Sequence, residues 1–321
     1  MGTGDMSLAK AHANIALIKY WGKTDTKLAL PATSSLSLTL DALYTTTEVR
    51  IDPMLTEDRF TLDGTVQGPR ELQKISSFVD LFRVGNQHVE IISENNFPTA
   101  AGLASSASGY AALATALNDV LACGLDKTAL SRLTRRGSGS ASRSLFGGFA
   151  VWQKGDDLES LAYPLEETMD IQMVIAIVSD RQKARSSRSK MQETALQSRY
   201  FDAWVANNDT DMADMQAAIR AQDIHLVGRI AERNAMMMHA TLLALDEPFF
   251  YMDALSLRVI ELVHEMRRDG LAAYVTMDAG PNVKIITDSK DSGEIYARLS
   301  ALLGREQILV AKPGPQAEVL S

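Results

Sequence analysis

The sequence predicts an α+β fold in two parts, and three observations carry that expectation. Strand-like apolar and β-branched segments crowd the chain up to about residue 180; helical spacing dominates 186–269; the remainder reads strand, turn, strand, helix, strand. Strands first, then a helical block, then a βαβ-like tail do not make the regular alternation of a doubly wound sheet. The expected parts are residues 1–180 and 181–321. With 46% hydrophobic and 22% charged residues, the chain can build one large core or two medium ones sharing a cleft.

The elements follow in order. Residues 10–20 read as a largely buried strand, and 36–51, rich in Thr, Val and Leu, as a longer one. Asp63-Gly64 marks a turn between short strands. Leu72, Ile75, Phe78, Val79 and Phe82 have helical spacing over 70–83, and His88 to Ser93 reads as a strand. A Gly-containing loop then leads into an Ala-rich helix expected to end near Gly124, followed by a helix over 127–135. Strands are expected near 146–153, 158–163 and 171–179. After the helical block come strands at 272–277 and 282–287 around a turn at 278–281, a helix over 289–303 and a strand over 306–310. The triplet Met236-Met237-Met238 suits adaptable core packing better than a binding surface.

Composition excludes several classes. A net charge of −8 argues against a nucleic-acid partner, whose binding rests on neutralised phosphates. No apolar run approaches the roughly 20 residues of a membrane-spanning helix, and Met1 to Asp5 lacks the basic-then-apolar start of a secretory signal, so a cytoplasmic protein with no membrane partner is expected. Cys123, the only cysteine, cannot form an internal disulfide and reads as a small buried hydrophobe. His12, His88, His225, His239 and His264 show no zinc-ligand spacing. Positive charge is nonetheless concentrated in Arg181, Lys183, Arg185, Arg188 and Lys190, interleaved with Ser186, Ser187 and Ser189. By charge alone this run suits a solvated loop and a phosphate site equally.

Four constellations could carry chemistry, and each has an ordinary structural reading beside the functional one. Pro98, Ala101, Gly102, Leu103, Ala104, Ser105, Ser106 and Ser108 lead into the Ala-rich helix. This is a capped helix start, and its free N–H groups and partial positive charge also suit phosphate. In Ile18-Lys19-Tyr20-Trp21-Gly22-Lys23, Lys19 falls on the same strand face as Ile15 and Leu17, so it either snorkels to solvent or is held for use. The run from Arg136 through Ser138, Ser140 and Arg143 to Gly148 is either a flexible Gly/Ser loop or a loop offering a guanidinium fork to a carboxylate. Asp278, in Met277-Asp278-Ala279-Gly280-Pro281-Asn282, is by itself ordinary turn chemistry at a strand end.

The first of these motifs resembles the ATP-phosphate loop of the GHMP kinase superfamily. The Lys-Tyr-Trp-Gly-Lys run, Pro31 to Ser37, the Arg143 loop and the Asp-Ala-Gly-Pro-Asn turn together resemble the mevalonate diphosphate decarboxylases, in the family's order and across nearly the whole chain. One departure is Ser142, where the family usually carries Cys. The resemblance implies a GHMP kinase-like two-domain fold with the active-site cleft between the domains, the first of them binding ATP. It also implies ATP-dependent decarboxylation of mevalonate 5-diphosphate to isopentenyl diphosphate, with ATP and Mg2+ as cofactors and a homodimer as assembly. Asp278, Lys19 and Arg143 would be catalytic; Tyr20, Lys23, Ser138, Ser140, Arg143, Ser187 and Arg188 would hold substrate; Pro98, Ala101 to Ser106 and Ser108 would cradle ATP. A mevalonate 5-phosphate enzyme, a simple small-molecule kinase of the superfamily and a non-catalytic nucleotide binder are the competing expectations.

Overall fold

In the computed structural model, which describes residues 5–97, 105–179 and 187–320, two long strands form the axis of the first sheet. They are β1 (Met6–Ile18) and β4 (Ser35–Ile51), and they pair antiparallel along nearly all of β1. The pairing register shifts between His12 and Asn14 and again between Ala16 and Ile18. Such irregularities re-aim side chains: Ala9 and Ala11 join one core cluster, while Ala13, Ile15 and Leu17 join another. A small hairpin of β2 (Lys23–Asp25) and β3 (Leu30–Pro31), not anticipated from the sequence, fills the connection.

The other side of β4 is shared. Its first half pairs with β8 (Phe149–Trp152), which carries β9 (Ala162–Pro164), and its second half pairs with β7 (Val89–Asn95). Parallel to β7 runs β5 (Arg59–Leu62), joined to β6 (Thr65–Val66) through Asp63 and Gly64 at φ of 48° and 73°, the expected tight turn. A strand near the end of the chain, β14 (Glu318–Leu320), returns to pair with β1 and escaped the sequence reading.

Helices α1 (Pro69–Val79), α2 (Ser105–Val120) and α3 (Lys127–Gly137) cover one face of this sheet, where the small side chains of α2 permit close approach to Ala9, Ala11 and Ala150. Helix α2 stops short of Gly124, because Ala122 and Gly124 both adopt positive φ after it. Cys123 is half-buried rather than buried, with its thiol against the Phe82 carbonyl oxygen.

The second sheet has the order β11 (Tyr274–Thr276), β12 (Val283–Thr287), β10 (Gln172–Ala176), β13 (Ile308–Ala311), with every neighbour antiparallel. Strands β12 and β13 are linked by α8 (Ser292–Leu303) and lie parallel, but β10 is inserted between them, so the expected βαβ tail is a split one. The helical block comprises α4 (Ser187–Gln197), α5 (Phe201–Arg220), α6 (Ile224–Leu243) and α7 (Ala254–Arg268). A core of Leu17, Leu36, Met173, Ile175, Met215, Ile230 and Ile286 joins both sheets to α5 and α6. The architecture is α+β, with the cleft described below between its two halves.

Close packing of α6 on β11 depends on Gly228, where an added Cβ would collide with the Tyr274 ring. Gly228→Ala is therefore expected to destabilise the fold by about 1–3 kcal/mol despite alanine's better helix propensity. A lowered denaturant midpoint at unchanged m-value would register it.

Candidate active site

The end of β1 builds the first wall. Lys19 lies just beyond the strand, and its backbone N–H donates to Asn234 Oδ1 of α6 at 2.8 Å, while Asn234 itself donates to Asp211 on α5. The following side chains diverge. Trp21 is buried among Trp204, Met238 and Tyr251 and donates to Thr194 Oγ1 at 2.9 Å. Tyr20 turns the other way, edge-on to Trp152 with ring centroids 4.7 Å apart. Gly22, at φ of 96°, has the Phe201 ring where a side chain would begin. Of the methionine triplet, Met238 packs on Trp21 and also lines the cleft.

A second wall is the Gly/Ser run, which is a buried 3-10 helix over Gly139–Leu145 rather than a flexible loop. It is tied to β1 by Asn14, whose Nδ2 donates to the Ser140 carbonyl at 2.9 Å and to Ser144 Oγ at 2.8 Å. Ser142, at the departure from the family pattern, closes the turn by donating to the Gly139 carbonyl. Arg143, 2% exposed, donates to Ser35 Oγ at 2.5 Å and Asn14 Oδ1 at 3.3 Å. Both partners are neutral, and burial brings its pKa down to about 10.

The third wall is the turn between β11 and β12. Asp278, its side chain 29% exposed, accepts from Lys19 Nζ at 2.8 Å through Oδ1, and Lys284 Nζ lies 3.3 Å from Oδ2. Burial pushes the Asp278 carboxyl up, but the two lysines outweigh it and hold the group well below the usual carboxylate range. Behind them His239 is held neutral near pH 7, its pKa brought down to about 4 by burial and the Lys19 charge.

These walls enclose a cavity of about 500 Å³ lined by Lys19, Tyr20, Lys23, Ser138, Ser140, Arg143, Ser187, Arg188 and Asp278, bringing the proposed catalytic and substrate residues together. Arg70 and Lys74 of α1 also line it, so six cations face two carboxylates, Asp278 and Glu71, and Glu71 is tied to Lys74 at 2.7 Å. A chain of net charge −8 thus concentrates positive charge here. Lys23 answers with a pKa lowered to about 8, by burial first and the neighbouring Arg188 second. The Tyr20 hydroxyl is buried without a hydrogen-bond partner among the described residues. A second cavity of about 550 Å³ shares Arg70, Lys74, Gly137 and Arg188 with the first and is also lined by Lys27 and Arg136.

At the cleft's edge, Ser106 at the start of α2 lines the cavity and Ser105 lines a smaller one beside it. Ser108 does not join them: fully buried, its hydroxyl bonds Thr45 Oγ1 at 2.7 Å, which makes it a packing contact with β4. Pro98 and Ala101 to Ala104 lie outside the described residues, as do Arg181, Lys183 and Arg185. Lys190, counted in the basic run, is buried against Glu193 at 2.7 Å and over the Phe249 ring. Sequence reasoning missed Lys284, Arg70 and Lys74. The signals were present: a lysine inside the apolar strand Val283–Thr287, and cations on the face of α1 opposite Ile75 and Val79.

Comparison with known proteins shows one family along nearly the whole chain. A family model for the diphosphomevalonate decarboxylase-like N-terminal domain matches residues 11–163, and one for the mevalonate 5-diphosphate decarboxylase C-terminal domain matches 173–315. Diphosphomevalonate decarboxylase from Ganoderma lucidum is 39% identical over 97% of this chain and 82% of its own length. The mevalonate diphosphate decarboxylase structure from Staphylococcus aureus superposes with a TM-score of 0.95 at 43% identity, covering 98% of each chain. A solved complex of MDDEF with MVAPP, AMPPCP and magnesium superposes at 0.94 with 42% identity, covering 98% of this chain and 99% of that one. The chain belongs to the mevalonate diphosphate decarboxylase family.

Proposed function

We propose that Asp278, Lys19 and Arg143 carry the family's reaction in this chain: ATP-dependent decarboxylation of mevalonate 5-diphosphate to isopentenyl diphosphate, with ADP, phosphate and CO2 released. The observation that carries the assignment is the Lys19–Asp278 ion pair at 2.8 Å, set beside the buried Arg143 guanidinium in a cation-rich cleft.

The chemistry needs each of these groups. Hydroxide is a poor leaving group, so the tertiary 3-hydroxyl attacks the γ-phosphorus of ATP and ADP departs. The C3–O bond then breaks, phosphate leaves, and positive charge develops at C3. The C1–C2 bond breaks with loss of CO2, and its electrons form the C2–C3 double bond. Asp278, kept anionic by its lysines, accepts a hydrogen bond from the 3-hydroxyl, whose proton leaves with the transferred phosphate as the O–P bond forms, and stabilises the developing cation. Lys19 orients that carboxylate. Arg143, hydrogen-bonded among the described residues only to the neutral Ser35 and Asn14 side chains, holds the C1 carboxylate. Tyr20, Lys23, Ser138, Ser140, Ser187 and Arg188 hold the diphosphate end, and the unpartnered Tyr20 hydroxyl suits one of its oxygens.

The residues present fit ATP and Mg2+. Ser105 and Ser106 open α2, whose N-terminus favours phosphate, and Arg70 and Lys74 face the same cleft. Among the described residues no group of three or more His, Cys, Asp or Glu could hold a metal, so Mg2+ would be carried by phosphate oxygens, water and hydroxyls. When bound, it neutralises charge on the transferring phosphoryl group. On this reading the first sheet with α1 to α3 forms the ATP-binding domain and the second sheet with α4 to α8 closes the cleft; the expected division at 180 shifts to before β10, which pairs in the second sheet, and β14 returns to the first. The working form would be a cytoplasmic homodimer; no helix among the described residues is long and apolar enough to cross a membrane.

Incubation with ATP, Mg2+ and mevalonate 5-diphosphate is the test. Orthophosphate and CO2 are expected to appear mole for mole, with mevalonate 5-phosphate a poorer substrate because the cleft's cations suit the larger charge. ADP without free orthophosphate would mark a kinase, and nucleotide binding without turnover a non-catalytic protein.

A further inference from the structure

Lys284 is unusual for its position. It lies at the centre of the second sheet, flanked by Ile175 on β10 and Thr276 on β11, and is 1% exposed. Val283 and Ile285 on either side pack into an apolar cluster, and Ile286 joins the core between the sheets. Burying an ammonium group there carries a large desolvation cost before any partner is counted, and an apolar side chain of similar volume would serve packing at no such cost. Its recorded partners are the Asn282 carbonyl at 3.3 Å and Asp278 Oδ2, also at 3.3 Å. Lys19 occupies the other oxygen, Oδ1, at 2.8 Å.

We propose that Lys284 is a positioning residue for the decarboxylation, pinning the Asp278 carboxylate from the side opposite Lys19 and fixing both its plane and its charge. The proposal rests on the assignment of Asp278 given above. A carboxylate held at one oxygen can swing about its Cβ–Cγ bond; one held at both presents a fixed edge to the substrate hydroxyl. Lys284 itself neither takes nor gives a proton. The charged and titratable groups facing Asp278 are Lys19 from the end of β1, Lys284 from β12, Arg143 from the 3-10 helix and His239 from α6. Because His239 is neutral at pH 7, the lysines set the carboxylate's affinity for protons, and losing one raises it.

The test uses Lys284→Met and Lys284→Gln in the full chain, with carboxyl carbons of aspartate isotopically labelled and the Asp278 signal identified by its loss in Asp278→Asn. In the parent protein Asp278 should stay ionised below the ordinary carboxylate range. In both variants its titration midpoint should move up, the acid limb of kcat/KM should move with it, and kcat should fall about 10–100-fold with KM within a few-fold. Lys284→Arg should restore part of the midpoint. An unmoved midpoint in folded variants, or failure of both variants to fold, would overturn the proposal by assigning Lys284 to stability alone. The carbon titration needs no turnover, so inactivity of the parent protein on mevalonate 5-diphosphate would overturn the assigned function without being mistaken for this result.

Discussion

Replacing Asp278 with asparagine is expected to lower kcat by about three orders of magnitude or more while leaving substrate KM and ATP affinity within a few-fold. Asparagine keeps the side chain's size and its place at the end of β11, so the cleft retains its shape. What it loses is the anion. The 3-hydroxyl no longer meets a charged acceptor, and the cation forming at C3 has Lys19, Lys284 and Arg143 nearby without a counter-charge. That penalty falls on the transition state far more than on the bound substrate, which is why kcat and not KM should carry it. Orthophosphate release in the steady state, with nucleotide affinity measured by calorimetry, separates the two. Wild-type turnover in the variant would remove Asp278 from the chemistry.

The same substitution has a stability signature with a defined sign. Asp278 has a depressed pKa in the folded protein, so its stabilising contribution is present above the ordinary carboxylate pKa of about 3.9 and is lost as pH falls through the folded value. Asp278→Asn should therefore melt below the parent protein at pH 7, and the gap should narrow in strong acid.

Much of this was legible in the sequence because the residues that matter sit at breaks in local pattern. Lys19 interrupts an apolar strand, Arg143 stands in a run of small residues, and Asp278 precedes a Gly-Pro turn; each reads twice, as ordinary structure and as chemistry, until the order of all the motifs along the chain decides. The illegible part is long-range. Nothing in the sequence says that β10 inserts between β12 and β13, or that the end of β1 meets the turn before β12, where Lys19 joins Lys284 on one carboxylate although 265 residues of numbering separate the two lysines. The same gap explains Lys190 and Ser108. Local charge and hydroxyl content nominated both for phosphate, but the distant Phe249 ring, with Glu193 one turn along the same helix, holds Lys190, and Thr45 holds Ser108. Periodicity likewise overran the ends of elements: Lys19 was placed within β1, yet it lies past Ile18, where Asn234 caps its backbone N–H and frees its side chain to turn toward Asp278.

Arg143→Ala should differ from Asp278→Asn by damaging binding as well as rate. Its guanidinium lies against Ser35 and Asn14 oxygens, neither of them charged, and burial has already weakened its hold on the proton. In the free protein that cation is hydrogen-bonded only to neutral oxygens among the described residues and feels the Asp278 charge at longer range, so a carboxylate arriving from substrate adds a direct charged partner. Removing one member of such a desolvated pair costs about 2–5 kcal/mol, so kcat/KM should fall by roughly 30- to 5,000-fold, shared between a higher KM and a lower kcat. Arg143→Met, which keeps most of the buried stem, isolates the charge: it should melt within a few degrees of the parent protein when free, since a buried unpaired cation adds little stability. Saturating mevalonate 5-diphosphate should raise the parent's Tm and raise that of Arg143→Met by much less, because stabilisation by a ligand follows its affinity. Equal ligand-induced shifts in the two proteins, with KM unchanged, would put the substrate carboxylate somewhere other than Arg143.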